Sequence, residues 1–368
     1  MAIVVSTLLS FGFAQKKKES VAYEFTNTIN IEASEIKNQE STGTCWSYST
    51  TSFLESEVIR LQGKSIDLSE MYYVRLNYMR KAENYIHRQG NSSFGEGSLA
   101  HDVFNAYIDG GAVPETAFPE RRDADKRNNH SELIKVLKTM LDTYIDLPSG
   151  QLSPKWRDAV NKVLDVYLGE IPESFDYEGK TYTPQSFAKE VVKLEPMDYL
   201  HLTSFTNAPF DAEMILEIPD NWASQSYMNH PLDELMTTLD KALKNGYTVV
   251  WDADVSEKTW STKNGLAIYP EKSYTSLSKE EREKLFKVIS PELEVTQEIR
   301  QEGFESLATT DDHLMHIIGK GVDQEGNHYY LVKNSWGTAR GIDGYFYISE
   351  SYIRMKTISF SLHKDALK

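Results

Sequence analysis

The apolar positions follow two regimes along the chain, helical first and strand-like later. After Cys45, residues Phe53, Leu54, Val58 and Leu61 recur at helical spacing and stop at Gly63, which predicts an amphipathic helix with Cys45 in its first turn. Leu68-Ser69-Glu70 opens a second helix, and residues 99–108 suit a third that ends at Gly110-Gly111. Between them lies the glycine-rich loop Phe94-Gly95-Glu96-Gly97-Ser98. Further on, Leu133, Val136, Leu137, Met140, Leu141 and Tyr144 trace one helix face. Ser153-Pro154 starts a helix carrying Trp156, Val160, Val163, Leu164 and Tyr167, because a proline at the first helical position needs no N–H partner. Thr183-Pro184 opens another, and Leu232, Leu235, Leu239 and Leu243 make the last helix before Gly246. From Tyr247 the chain turns β-rich, with runs at 247–251, 316–322, 328–334, 345–348 and 358–362. Helices followed by strands predict an α+β fold.

Two of these runs flank the loop 323–327. A symmetric hairpin pairs Val322 with His328, and carrying that register down the strands sets His316 directly opposite Asn334, about 5 Å apart at Cβ. An asparagine oxygen there holds an imidazole in one tautomer and orientation. Trp336, two residues on, shares that face and shields the bond from water. His313 and His316 are not read as a metal pair, since their odd separation on a strand puts them on opposite faces and no second ligand cluster lies nearby.

Composition narrows the function. The chain has 368 residues, 40% of them hydrophobic, and is a globular chain large enough for two or three packed lobes. A net charge of −16 repels phosphate backbones, which argues against nucleic acid and anionic lipid as partners. Cys45 is the only cysteine, so no internal disulfide exists. A lone cysteine is ordinarily a small buried hydrophobe, but at a helix N-terminus the dipole and free N–H groups favour a thiolate. Residues 1–14 form an apolar run with Gly12 and Ala14 preceding Gln15, the small-residue pattern of a cleaved export signal, although a positively charged start is missing. That predicts an exported, periplasmic or extracellular protein. The alternative is a buried N-terminal strand and a cytoplasmic protein.

Asn38-Gln39, Gly43-Thr44-Cys45-Trp46, and the later His and Asn334-Ser335-Trp336-Gly337 resemble the active-site segments of the papain-like cysteine proteases. The resemblance implies a two-lobed fold, a helical lobe and an antiparallel β lobe. It also implies Cys45 as nucleophile, His316 as base, Asn334 as the residue that orients it, and Gln39 with the Cys45 N–H as oxyanion hole. Trp46, Glu96, Gly97 and Trp336 then line the substrate cleft. Thr42 stands where the family has a disulfide cysteine. His316 also follows Cys45 by far more than the family's about 130–150 residues. The excess matches a helical insertion over residues 120–245, between a helical lobe at 15–119 and a β lobe at 246–368.

An insertion of this kind without disulfides resembles the bleomycin hydrolase or aminopeptidase C branch. Gly110-Gly111-Ala112-Val113-Pro114, Pro231-Leu232-Asp233-Glu234-Leu235 and Trp251-Asp252-Ala253-Asp254-Val255 support that branch. It implies a cofactor-free peptidase that trims free peptide N-termini and assembles as a hexamer. Its C-terminal arm lies in the cleft, so that the terminal carboxylate, here on Lys368, meets the substrate's amine. Glu96 is a second candidate for that amine, against the simpler reading of a solvated loop charge. An endopeptidase or dipeptidase with the same triad, and a catalytically silent peptide-binding module, are the competing readings. A Cys-His acyltransferase is disfavoured by Asn334, since those enzymes more often use an acid there.

Overall fold

A computed structural model describes residues 23–120, 127–147 and 150–368; the proposed signal at 1–14 lies outside the described residues. Helix α1 (Cys45–Gln62) runs between two lobes and closes at Gly63, whose φ of 64° makes the left-handed turn that ends it. Its residues 45–58 are buried on every side, not on one stripe. The Ser- and Thr-rich sequence reads as amphipathic, yet both flanks are covered because the helix is the seam of the molecule. Helices α2 (Glu70–His87) and α3 (Ala100–Gly110) pack against it, and α4 (Ser131–Ile145) and α5 (Lys155–Leu168) pack on α2, which completes the helical lobe. Trp46, Phe53, Tyr73, Phe104, Leu137 and Leu164 belong to its core.

The strands are β1 (Thr26–Asn30), β2 (Phe175–Tyr177), β3 (Lys180–Tyr182), β4 (Tyr199–Thr203), β5 (Ala212–Ile215), β6 (Ser226–Asn229) and β7 (Val249–Ala253). They continue as β8 (Trp260–Ser261), β9 (Leu266–Ala267), β10 (His313–Val322), β11 (His328–Lys333), β12 (Tyr345–Ser349) and β13 (Thr357–His363). All but β2 and β3 join one sheet in the order β5-β6-β4-β13-β7-β10-β11-β12-β9-β8, with β1 alongside β10. Most neighbours are antiparallel. After the one-turn α6 (Pro184–Phe187), helix α7 (Leu232–Lys244) lays Leu235, Leu239 and Leu243 against Trp251, Ile317, Val332 and Phe360 to form the second core. The expected α+β, two-lobed architecture is what is seen.

The block 120–245 is less helical than its sequence suggests. Besides α4, α5 and α7 it contains the hairpin of β2 and β3, and its strands β4, β5 and β6 extend the edge of the large sheet through β13. Tyr199-Leu200-His201-Leu202-Thr203 is too short a run to declare itself, and edge pairing with Phe360 and Leu362 makes it a strand. Among the described residues no helix is long and apolar enough to cross a membrane.

Candidate active site

Cys45 is the first residue of α1, so its N–H has no partner within the helix, and its side chain is 8% exposed. Strand β10 begins under this turn. The backbone N–H of Leu314 donates to the Cys45 thiol, which places His313, the preceding residue, beside the nucleophile.

The histidine expected from the hairpin is not the one at this position. The predicted register holds from Val322↔His328 to Gly319↔Leu331, and then a bulge between Ile317 and Gly319 moves it by one residue. His316 therefore pairs with Lys333 and not with Asn334. It is fully buried under the third turn of α1, with Nδ1 2.9 Å from Ser52 Oγ and its ring edge-on to Phe53. His313 meets Asn334 instead, Nε2 to Oδ1 at 2.8 Å, as a diagonal neighbour across the two strands. The Ser335 N–H donates to the same Asn334 Oδ1 at 2.7 Å, so the amide oxygen faces His313 and Nε2 carries the proton. The lone pair of His313 is then on Nδ1. Trp336 stacks on the His313 ring at 4.6 Å, the shielding role expected of it, but over His313 and not His316. Gly319 inside a strand was the available signal: a Cβ there would stand 2.2 Å from Ile29 O, and interior glycines mark bulges.

Gln39 ties the loop before α1 to the segment that follows Asn334. Its Oε1 accepts from Ser335 Oγ at 2.6 Å and its Nε2 donates to Thr42 O at 2.6 Å, which leaves a second N–H on the amide. Thr42, in place of the expected disulfide cysteine, ties the loop together through Gln39 O at 2.8 Å and the Thr44 hydroxyl at 2.6 Å.

The remaining sequence candidates divide. Glu96 sits at the cleft, its Oε2 accepting from Gly43 N at 2.6 Å, and burial raises its carboxyl. It is a ligand of the loop that carries Cys45 and not a free loop charge. Gly97 lies against Asp220, and its carbonyl accepts from Lys81. Trp46 is corrected as a cleft residue: it is fully buried, and its Nε1 holds the glycine-rich loop through Glu96 O at 2.9 Å. Lys368 is corrected too. Strand β13 starts at the level of His313, with Thr357 opposite Ala253, and runs away from it, with Ser361 opposite Val250 at the level of His316. The last residues then dock on α7, where Lys241 donates to Leu367 O and Asn245 to Ala366 O.

Burial governs the ionisation of the pair. It pushes the Cys45 thiol up to about 12, against the opposing Leu314 N–H, and pulls His313 down to about 4 against its bond to Asn334. Burial thus works against the thiolate that the helix terminus alone favours, and against the imidazolium.

Similar proteins carry this architecture. Aminopeptidase C of Streptococcus thermophilus is 23% identical over 96% of this chain and 85% of its own length. Aminopeptidase G of Lactobacillus delbrueckii subsp. lactis is 23% identical over 95% and 86%. The crystal structure of PepW from a Lactobacillus superposes with a TM-score of 0.74 at 19% identity, over 93% of this chain and 83% of that one. Residues 2–368 match one family description from end to end, and on that match the chain belongs to the Peptidase C1-like family of papain-like cysteine peptidases.

Proposed function

We propose that this chain is a cysteine aminopeptidase in which Cys45 is the nucleophile, His313 the base, Asn334 the residue that orients it, and Gln39 an oxyanion donor. The observation that carries the reading is the His313–Asn334 bond beside a cysteine held by the next backbone N–H of the same strand. Cys45 Sγ attacks the scissile carbonyl carbon as its proton passes to His313 Nδ1. The carbonyl π pair moves onto oxygen, which takes N–H bonds from Gln39 Nε2 and Cys45. His313 then protonates the leaving amine and a thioester remains. Water, giving its proton to His313, releases the acid and restores the thiol.

The names of the similar proteins support N-terminal trimming. So does the segment around Asp220 and Trp222, which lies over the glycine-rich loop: Trp222 Nε1 donates to Ser98 Oγ at 2.8 Å. The docking of the C-terminal residues on α7 favours a second reading, an endopeptidase, since that segment does not close the cleft. Digestion of free and N-acetylated forms of one peptide series, followed by mass spectrometry, separates them. Stepwise shortening of free peptides alone is expected; internal cuts in acetylated peptides would establish the endopeptidase. Export, for which the apolar run at 1–14 argues, and the hexamer of the resembled branch are parts of the same proposal. Cell fractionation and light scattering test them.

A further inference from the structure

Three carboxylates gather beside Cys45, and none has a part in the steps above. Asp252 lies on β7 opposite Leu314. Asp311 precedes His313 by two residues. Asp220 comes across from the insertion and acts on both. All three act on the Cys45 thiol, Asp311 most strongly.

The group is short of positive charge. Asp252 and Asp311 lie within hydrogen-bond reach of each other, so ionising both at once is unfavourable. Asp252 is 1% exposed, its Oδ2 accepts from Ser359 Oγ at 3.3 Å, and apart from the facing carboxyl neither its Oδ1 nor Asp311 Oδ2 has a hydrogen-bond partner among the described residues. Burial raises all three carboxyls, Asp252 to about 7. Lys81 is the cation that faces the group, acting on Asp220 and Asp311 as well as Asp102 and Glu96, and its ammonium is also bound to Gly97 O. The other charged groups around the cluster are acidic: Asp102 on α3 acts on Asp220, and Asp312 acts on Asp252 and Asp311. A buried cluster with this surplus of acid is stabilised by a cation with several N–H donors.

Its position says which cation. Asp220 Oδ2 stands 1.9 Å from where a Cβ on Gly97 would be, so the insertion closes on the glycine-rich loop, whose Glu96 accepts from the Gly43 N–H two residues before Cys45. A peptide passing along Gly97 ends at these carboxylates. We propose that Asp220, Asp252 and Asp311 form the site that takes the free α-ammonium of the peptide substrate, in place of a terminal carboxylate. This rests on the aminopeptidase reading above.

The test compares one fluorogenic substrate with a free and with an acetylated N-terminus, on the wild type, D220N and D252N/D311N. A further acetylated substrate carries lysine in the penultimate position. We expect the free-over-acetylated preference in kcat/KM to fall by about 10–100-fold in the variants, mainly through KM, as loss of a charge-assisted hydrogen bond implies. Thermal melts and stoichiometric alkylation of Cys45 establish that each variant is folded, and D220N, at a partly exposed position, carries the test if the double variant is not. A preference retained in folded variants overturns the inference while leaving the aminopeptidase reading intact. Absence of any preference in the wild type overturns the aminopeptidase reading itself. A loss confined to the lysine substrate shows that the carboxylates read a side chain, and overturns the α-ammonium assignment.

Discussion

The first and third turns of α1 rest on the same strand, yet they do opposite things with buried charge. At the first turn Cys45 lies over Leu314, beside His313 and three carboxylates, of which Asp220 and Asp311 face the buried cation Lys81. At the third, Ser52 lies over His316, and Lys333 Nζ donates to Ser52 Oγ at 2.7 Å and to Ser34 Oγ at 3.0 Å. Close by, Lys37 bridges Asp67 at 2.6 Å and Glu70 at 2.9 Å, while Glu55 accepts from the Leu68 N–H at 2.8 Å and from Ser34. Anions and cations meet at this end, so it serves as an internal brace. At the other end three carboxylates outnumber Lys81, which costs stability and is what a substrate ammonium would offset under the proposal above. Two histidines three residues apart thus belong to different kinds of site.

The largest effect is expected at the nucleophile. Cys45→Ala should lower kcat/KM by at least about 10⁴-fold with an unchanged circular dichroism spectrum, since it removes the covalent route and not the scaffold. Turnover above a few per cent of wild type would refute the thiol mechanism.

The two histidines supply the sharpest contrast. His313→Ala should cost about 10³-fold or more in kcat while leaving the urea midpoint nearly unchanged. His316→Ala should cost less than about tenfold in kcat but destabilise the fold by about 1–3 kcal/mol, because it empties a packed position and leaves Ser52 with Lys333 as its remaining partner. Equal kinetic losses, measured side by side with urea melts, would erase the distinction between the two ends of α1.

Asn334→Ala should be milder than loss of the base, about 10–100-fold in kcat, because an imidazole without its orienting oxygen still visits the productive tautomer. A loss as deep as that of His313→Ala would make Asn334 more than an orienting group.

The smallest effect concerns stability and pH. In the fold Asp252 keeps its proton up to about 7, whereas its ordinary value is 3.8, so the unfolded chain ionises first as pH rises. The contribution of this group is therefore present below about pH 4 and is lost progressively up to about pH 7. Asp252→Asn should be neutral in melting temperature near pH 4 and should raise it by about 2 °C or more near pH 8. A pH-independent difference would remove the unmatched charge from the account, and with it the contrast to the braced end.

Much of the site could be read without coordinates. Cys45 at a helix start, Gln39 six residues earlier and Asn334-Ser335-Trp336-Gly337 after a strand are local patterns, and each lies where its spacing implies. His313 was misread because register is a long-range property. A single unpaired residue near Ile318 displaced the alignment and changed which histidine meets Asn334. Trp46 was misassigned for a similar reason: its neighbour is the nucleophile, but its ring is fully covered by packing that the sequence does not order in space.

On its own, the sequence determined the helical and strand regimes, the lone cysteine at a helix start, the hairpin around 323–327 and the family resemblance, all of which depend on residues close in the chain or on fixed motifs. The tertiary structure alone decided which histidine meets Asn334, where the chain's last residues dock, and that Asp220, Asp252 and Asp311 converge from an insertion, a strand and a loop. Those outcomes depend on contacts between distant segments, and the energy of a buried carboxylate is set by the neighbours and the water that folding leaves around it.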